Sequence, residues 1–304
     1  WSPGNPNLIA PIMAARVPES RQIPAMSQYH FISGLPRSGS TLLAALLRQN
    51  PAVSAGISSP VGQLFHATRN AMGAWAETSV LMTDAHRERI LRGLFEAYYQ
   101  DQQDKRLIID TNRSWCARLP ALKRLFPDSK VICCVRSVAW VMDSIERLTR
   151  EHAFHESRLF NNDSERATVF TRVDALAQND RFVGFAWSAL KEAVYGEHAD
   201  SLLLVDFDLL TASPAKVLDL IYDFIGEPRF EHDLENIEFD APEFDQALGL
   251  PGLHHVRPRV APVQRTSILP PDLFARLDAM SFWRDLGDSR AHVIAANPGP
   301  SSRS

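Results

Sequence analysis

Apolar runs of strand length recur along the chain, separated by stretches with the three-to-four-residue spacing of amphipathic helices. Tyr29 to Ser33 is the first such run; a glycine-containing turn follows, then a helical pattern from Thr41 to Gln49. Arg106 to Asp110 and Lys130 to Arg136 are two more. Ser201 to Asp208 is a fourth, with Leu202-Leu203-Leu204-Val205 unbroken, as in a strand buried on both faces. Helical spacing fills Asp84 to Tyr99, Val138 to Arg150, and Arg166 to Tyr195 with a break near Asn179-Asp180. Ser213-Pro214 has the residue types of a helix N-cap and first turn, and Gly226 that of a helix end. Strands alternating with helices predict an α/β fold, a mostly parallel sheet covered by helices on both faces. Ligands then bind beyond the carboxyl ends of the strands.

Residues 1–25 are proline-rich without sustained periodicity and are expected to be an extension or expression scar; residues 296–304, rich in Pro, Ser and Gly, are expected to be a disordered tail. Residues 26–295 are expected to form a single domain. With 45% hydrophobic and 22% charged residues the chain can bury a sizeable core, and a net charge of -4 gives no reason to expect nucleic acid or an acidic membrane as partner. Cys116, Cys133 and Cys134 have no metal-ligand spacing. They read as reduced thiols of a cytoplasmic protein without a metal site. No apolar stretch approaches the roughly 18 residues of a membrane span.

The densest chemistry lies in Gly34-Leu35-Pro36-Arg37-Ser38-Gly39-Ser40-Thr41, which follows a strand and opens a helix. Successive backbone N–H groups and the positive end of a helix can cradle a phosphate there, and the hydroxyls of Ser38, Ser40 and Thr41 add donors. The spacing is that of the nucleotide-binding P-loop, except that Ser40 stands where the lysine should be. That lysine reaches the outer phosphates of a nucleoside triphosphate. A loop without it suits a donor with a single 5′ phosphate, and counts against a kinase or NTPase.

Pro36-Arg37-Ser38-Gly39-Ser40-Thr41-Leu42 resembles the 5′-phosphosulfate loop of sulfotransferases, usually PRSGTTL or PRSGSTL. A second family signature, an arginine ending a strand and a serine eight residues on, is matched by Arg136 and Ser144. The guanidinium makes a fork to a 3′ phosphate and the hydroxyl adds a bond. The likeness runs from about Phe31 to Pro228 and is nearest to tyrosylprotein sulfotransferases and bacterial proteins like them. It includes Arg124 to Lys130 and Val205-Asp206-Phe207-Asp208-Leu209 through Pro214. It implies a P-loop, nucleotide-kinase-like fold and transfer of the sulfuryl group of 3′-phosphoadenylyl sulfate to a hydroxyl, with adenosine 3′,5′-bisphosphate as product and no metal. Arg37, Ser38, Gly39, Ser40, Thr41, Arg136 and Ser144 would hold the donor. Phe207 and Trp187 would lie beside its adenine or else be ordinary core aromatics. Arg257 and Arg265, in the segment Leu253 to Arg265, would belong to a basic loop over the 3′ phosphate. The partners implied are the nucleotide donor and a hydroxyl acceptor, tyrosine of a protein or peptide first and a small molecule, lipid or saccharide second. A homodimer is a further candidate.

The pattern departs from the family where the catalytic base should be. Ala55 to Gly62 holds no carboxylate in place of the glutamate of tyrosylprotein sulfotransferases, and Thr111 stands where they carry a lysine; the histidine of cytosolic sulfotransferases is missing too. Asp110, at a strand's carboxyl end, is the first candidate, ahead of His66, His254 and His255. Arg37 and Arg113 are the cations expected to stabilise the bridging and sulfuryl oxygens. The acceptor pocket is expected from Ser58 to Phe65 and the helices near Trp75 and Phe154. An inactive nucleotide-binding protein is the remaining alternative.

Overall fold

Six strands, every neighbouring pair parallel, make one sheet in a computed structural model that describes residues 27–295 except 153, 155, 156, 240 and 250. The expected extension at 1–25 and tail at 296–304 lie outside the described residues. The strands are β1 (Gln28–Gly34), β2 (Val53–Ala55), β3 (Leu107–Thr111), β4 (Val131–Val135), β5 (Leu202–Asp206) and β6 (His292–Ile294), in the order β2-β3-β1-β4-β5-β6. Between β1 and β3 lie α1 (Ser40–Leu47), α2 (Val61–Ala71) and α3 (Asp84–Tyr98); between β3 and β4 lies α4 (Leu119–Leu125). Next come α5 (Val138–Glu151), α6 (Asp163–Arg166), α7 (Val169–Ala177) and α8 (Gly184–Val194), all before β5. After it come α9 (Phe207–Ala212), α10 (Pro214–Ile225), α11 (Pro242–Leu248) and α12 (Pro271–Asp278). Among the described residues no helix is long and apolar enough to cross a membrane.

Period-two alternation explains why the strands read as unbroken apolar runs. On β1 and β4, Tyr29, Phe31, Val131, Cys133 and Val135 face one core, with Phe65, Phe95 and Trp115. Ile32, Ile132 and Cys134 face the other, with Leu43, Leu46 and Ile221. Each large apolar side chain so buried contributes roughly 1.5–3 kcal/mol, so neither face can be given up to water. The chain leaves β1 toward β2 and β3 on one side and reaches β4 on the other. That switch of direction opens a crevice beyond the carboxyl end of β1.

Two local expectations change, and two short strands are added. The fourth strand stops at Asp206 because its carboxylate accepts from the N–H groups of Asp208 (2.8 Å) and Leu209 (3.4 Å), capping α9. Ser213 precedes Pro214 but makes no side-chain capping bond, whereas Gly226 closes α10 in the left-handed conformation at φ 73°. The three-residue strands β2 and β6 lack a pattern long enough to read.

His30 joins three elements from inside the core. Its Nδ1 accepts the Lys130 N–H at 3.1 Å and its Nε2 faces the carbonyl of Ile225 at 3.3 Å, a pairing that only the neutral Nε2–H ring satisfies. Burial, the largest cause, takes its pKa from 6.5 down to about 4. Between those values the unfolded chain binds more protons, so this stability is complete above about pH 6.5 and drains away as pH falls toward 4. We expect urea midpoints between pH 7.5 and 5 to show a loss about 2 kcal/mol larger in the parent than in His30→Gln. Equal losses would clear His30 of the effect.

Candidate active site

Two glycines and one strained arginine set the shape of the loop between β1 and α1. Gly34 has φ 105°, and a Cβ there would lie 2.2 Å from the Cys134 carbonyl oxygen. Gly39 has φ 93°, and a Cβ there would lie 2.6 Å from the Phe207 ring. Arg37 is the one non-glycine residue with positive φ (58°) among the described residues, a conformation costing about 1–3 kcal/mol and found where a side chain is needed in one place. The Leu35 N–H donates to the Cys134 carbonyl at 2.9 Å, and the Ser38 hydroxyl is directed at the carbonyls of Cys134 (2.8 Å) and Leu35. The expectation that this hydroxyl faces a phosphate is therefore corrected: it fastens the loop to β4 from below and is buried. Gly39, Ser40 and Thr41 do line the cavity above.

That cavity, about 390 Å³, lies beyond the carboxyl ends of β1, β3 and β4. It brings together Arg37 and the loop, Thr111 at the end of β3 and Arg113 just after it, Arg136 after β4, Ser144 on α5, Phe207 on α9, and Arg257 and Arg265 from the segment before α12. With Arg259, six arginines line it, and no carboxylate is among the lining residues. Arg37 donates from Nε to the Ser144 hydroxyl at 3.1 Å, joining the two halves of the sequence signature and leaving the Ser144 proton free to donate. Arg136 stacks on Phe207 at 4.4 Å, Arg113 on Phe182 at 4.3 Å, and Arg265 on Trp140 at 5.3 Å. Burial lowers the pKa of Arg113, Arg136 and Arg265, and takes Arg37 down to about 10; all four stay charged at neutral pH.

Several of these donors lack an aligned acceptor. Among the described residues, the Nε atoms of Arg136 and Arg265 and the Oγ1 of Thr111 are buried with no hydrogen-bond partner. The nearest carboxylate to Arg136, on Asp208, is 3.8 Å away. Arg265 Nη2 is 3.0 Å from Asp143 as an ion pair, but without hydrogen-bond alignment. Buried donors and cations left this way fit a multiply charged anion that brings its own acceptors.

Asp110 is not part of this group. It is fully buried, and its oxygens accept from the Tyr99 hydroxyl (2.6 Å), the Trp115 indole N–H (2.7 Å) and the Ser59 hydroxyl. It pairs with Phe31 across the sheet and faces the aromatic core. Burial raises its pKa, and with no exposed surface and three core donors on its oxygens it lacks the access to a substrate hydroxyl that a base needs. The candidacy of Asp110 is withdrawn. His66 lies on the exposed side of α2 against Arg118 and Asn70, away from the cavity. His254 and His255 both line it. His254 is the constrained one: its Nδ1 is 2.5 Å from Asp245 Oδ1, and its backbone N–H donates to Asp245 Oδ2 at 2.9 Å. Asp245, on α11, is itself buried. Desolvation, only partly opposed by Asp245, keeps the His254 pKa below the usual imidazole value.

Other expected positions separate. Trp187 donates to the Met280 carbonyl at 2.8 Å and packs on Phe282, so it is a packing residue, whereas Phe207 lines the cavity. Ser58 lines the cavity; Phe65 is in the core; Trp75 and Phe154 are fully exposed and line nothing here. The aromatic residues beside His254 and Arg113 are Phe244, at 5.1 Å, and Phe182. Asp245, Phe182 and Phe244 carry no signal in the sequence. Trp140 and Asp143 could have been noticed, four and seven residues after Arg136 and both on α5 with Ser144. Among the described residues no three His, Cys, Asp or Glu side chains gather as a metal would need.

A model described as "Sulfotransferase family" matches residues 30–232. No curated protein matches the chain. Among solved structures the chain is similar to the sulfotransferase domain of the Synechococcus PCC 7002 olefin synthase: 21% identity, TM-score 0.48, covering 84% of this chain and 94% of that one. It is also similar to the sulfotransferase domain from the curacin biosynthetic pathway, at 16% identity, TM-score 0.46, and 87% and 92% coverage. A sulfotransferase from Alicyclobacillus acidocaldarius is similar at 15% identity, TM-score 0.46, with 74% and 90% covered.

The new placement of Asp110 yields an expected outcome. Asp110→Ala strands the Tyr99 hydroxyl and the Trp115 N–H in the core, at about 1–3 kcal/mol for each. Thermal unfolding should show a large drop in Tm, while nucleotide affinity measured well below that Tm stays at the parental value. A stable variant that has lost turnover would return Asp110 to the chemistry.

Proposed function

The chain belongs to the sulfotransferase family of transferases, and on that premise we propose that it moves the sulfuryl group of 3′-phosphoadenylyl sulfate to a hydroxyl acceptor. The observation that carries this reading is the cavity's charge: six arginines and no lining carboxylate around a phosphate loop that lacks the NTPase lysine. A nucleotide with phosphate at both 3′ and 5′ ends fits such a site better than a triphosphate, which needs its outer charges met by lysine and Mg²⁺. Arg136 and the Ser144 hydroxyl would hold the 3′ phosphate. The loop N–H groups, Thr41 and Arg37 would hold the 5′ phosphosulfate, and Phe207 would lie against the base. Asp206, the carboxylate that an NTPase reading would use for a metal, is occupied as the cap of α9.

His254 is the base in this reading. Asp245 fixes its Nδ1–H, which leaves the Nε2 lone pair for the acceptor hydroxyl, and a lowered pKa keeps it neutral at pH 7. The acceptor oxygen bonds to sulfur as the bond from sulfur to the phosphate oxygen breaks. The hydroxyl proton goes to Nε2, and adenosine 3′,5′-bisphosphate leaves. Arg37 and Arg113 meet the charge that develops on the departing and sulfuryl oxygens. Phe244 beside His254 and Phe182 beside Arg113 support an aromatic hydroxyl, the phenol of a tyrosine in a protein or peptide first, and the arginines disfavour a cationic acceptor. Three buried thiols, none in a disulfide, support a cytoplasmic protein.

Two outcomes test this. Arg136→Ala should weaken adenosine 3′,5′-bisphosphate by about tenfold to a hundredfold in calorimetric titration, with adenosine 5′-monophosphate nearly unchanged. Equal weakening of both would make Arg136 a structural residue. His254→Ala should lower kcat by about 10²–10⁴-fold with bisphosphate affinity intact. The parent's kcat/KM should fall on the acid side, with an apparent pKa below 6.5, and that limb should vanish in the variant. A variant within threefold of the parent would move the search to His255.

A further inference from the structure

The segment carrying His254, Arg257 and Arg265 is fastened at its far end to α5 by one carboxylate. Asp143 is fully buried. It accepts from the Ile268 N–H at 2.8 Å, the Ser267 hydroxyl at 3.1 Å and Arg147 Nε at 3.0 Å, and its Oδ2 pairs with Arg265 Nη2 at 3.0 Å. Arg147 in turn donates to the Thr266 carbonyl, so residues 265–268 are all tied to one helical turn. On the preceding turn, Trp140 stands between two cations: Arg265 at 5.3 Å and Arg136 at 6.0 Å from its ring, with Phe274 of α12 bracing it edge-on at 5.2 Å. The next residue after Asp143 is Ser144, the acceptor for Arg37. Positions 140, 143 and 144 of a single helix thus address Arg136, Arg265 and Arg37.

Arg265 and Arg136 repel one another, and left to themselves two long guanidinium side chains would swing apart into water. The indole ring that both approach and the buried carboxylate oppose that. We propose that Asp143, with Trp140 beside it, is a positioning residue for the donor: it turns Arg265 toward Arg136 so that two guanidiniums meet one phosphate dianion. Asp143 reaches no ligand itself and works through Arg265. The inference rests on the reading of Arg136 as the 3′-phosphate residue.

The test measures affinities for adenosine 3′,5′-bisphosphate and adenosine 5′-monophosphate in the parent, Asp143→Asn, Arg265→Gln and the double variant. Asparagine keeps an acceptor for Ser267 and Ile268 but removes the charge. The bisphosphate should weaken by about tenfold in Asp143→Asn, with the monophosphate changed by less than about twofold. The double variant should be no weaker than Arg265→Gln alone, because the second change has nothing left to position. Multiplying losses, an unchanged preference for the bisphosphate, or equal loss of both nucleotides would overturn the proposal. Should Asp143→Asn fail to fold, Trp140→Leu carries the same expectation, and an intact preference there overturns it equally. A parent that does not prefer the bisphosphate sinks the donor reading itself, an outcome visible before any variant is made.

Discussion

Six guanidinium groups held around one cavity, with no carboxylate among its lining residues, repel each other, and those of Arg37, Arg113, Arg136 and Arg265 have also lost water. Everything near them opposes that cost. Phe207, Phe182 and Trp140 offer aromatic faces to Arg136, Arg113 and Arg265, and the carboxylates that balance the charge sit behind the lining, on Asp143, Asp208 and Asp245. The arrangement keeps the cations oriented while leaving their outward donors unmet, which is the state a polyanion stabilises on binding.

The phosphate loop depends on the same packing. Its glycines are required by neighbours, not by the loop alone: Gly34 approaches the β4 backbone and Gly39 the ring of Phe207. Phe207 is therefore shared. It closes the loop from one side and supports Arg136 from the other, so the loop and Arg136 cannot shift independently. The bond from Arg37 to Ser144 ties them a second time.

Much of the fold was legible because β1, β3, β4 and β5 are buried on both faces and read as apolar runs. Their order in the sheet was not, since no local pattern encodes which strand neighbours which. The loop and the Arg136–Ser144 spacing were legible because each lies in one short stretch of the chain, a strand's end and the helix that follows it. The pairing of His254 with Asp245 was not, because it joins residues nine apart, one on α11 and one in the irregular segment after it. Asp110 shows a subtler failure. Its place at a strand's end was read correctly, but strand parity puts it on the same face as Ile108, toward Phe31 and Trp115 and away from the crevice. The alternation was in the sequence, and the identity of each face was not.

The central claim is that this cavity transfers a sulfuryl group. Its most direct measurement follows sulfur-35 from labelled 3′-phosphoadenylyl sulfate, supplied without Mg²⁺, to a panel of tyrosine peptides, phenols and sugars. The account predicts label on an aromatic hydroxyl with an equimolar release of adenosine 3′,5′-bisphosphate. Donor that binds but yields no labelled acceptor, alongside Mg²⁺-dependent loss of the γ-phosphate from ATP, would contradict it.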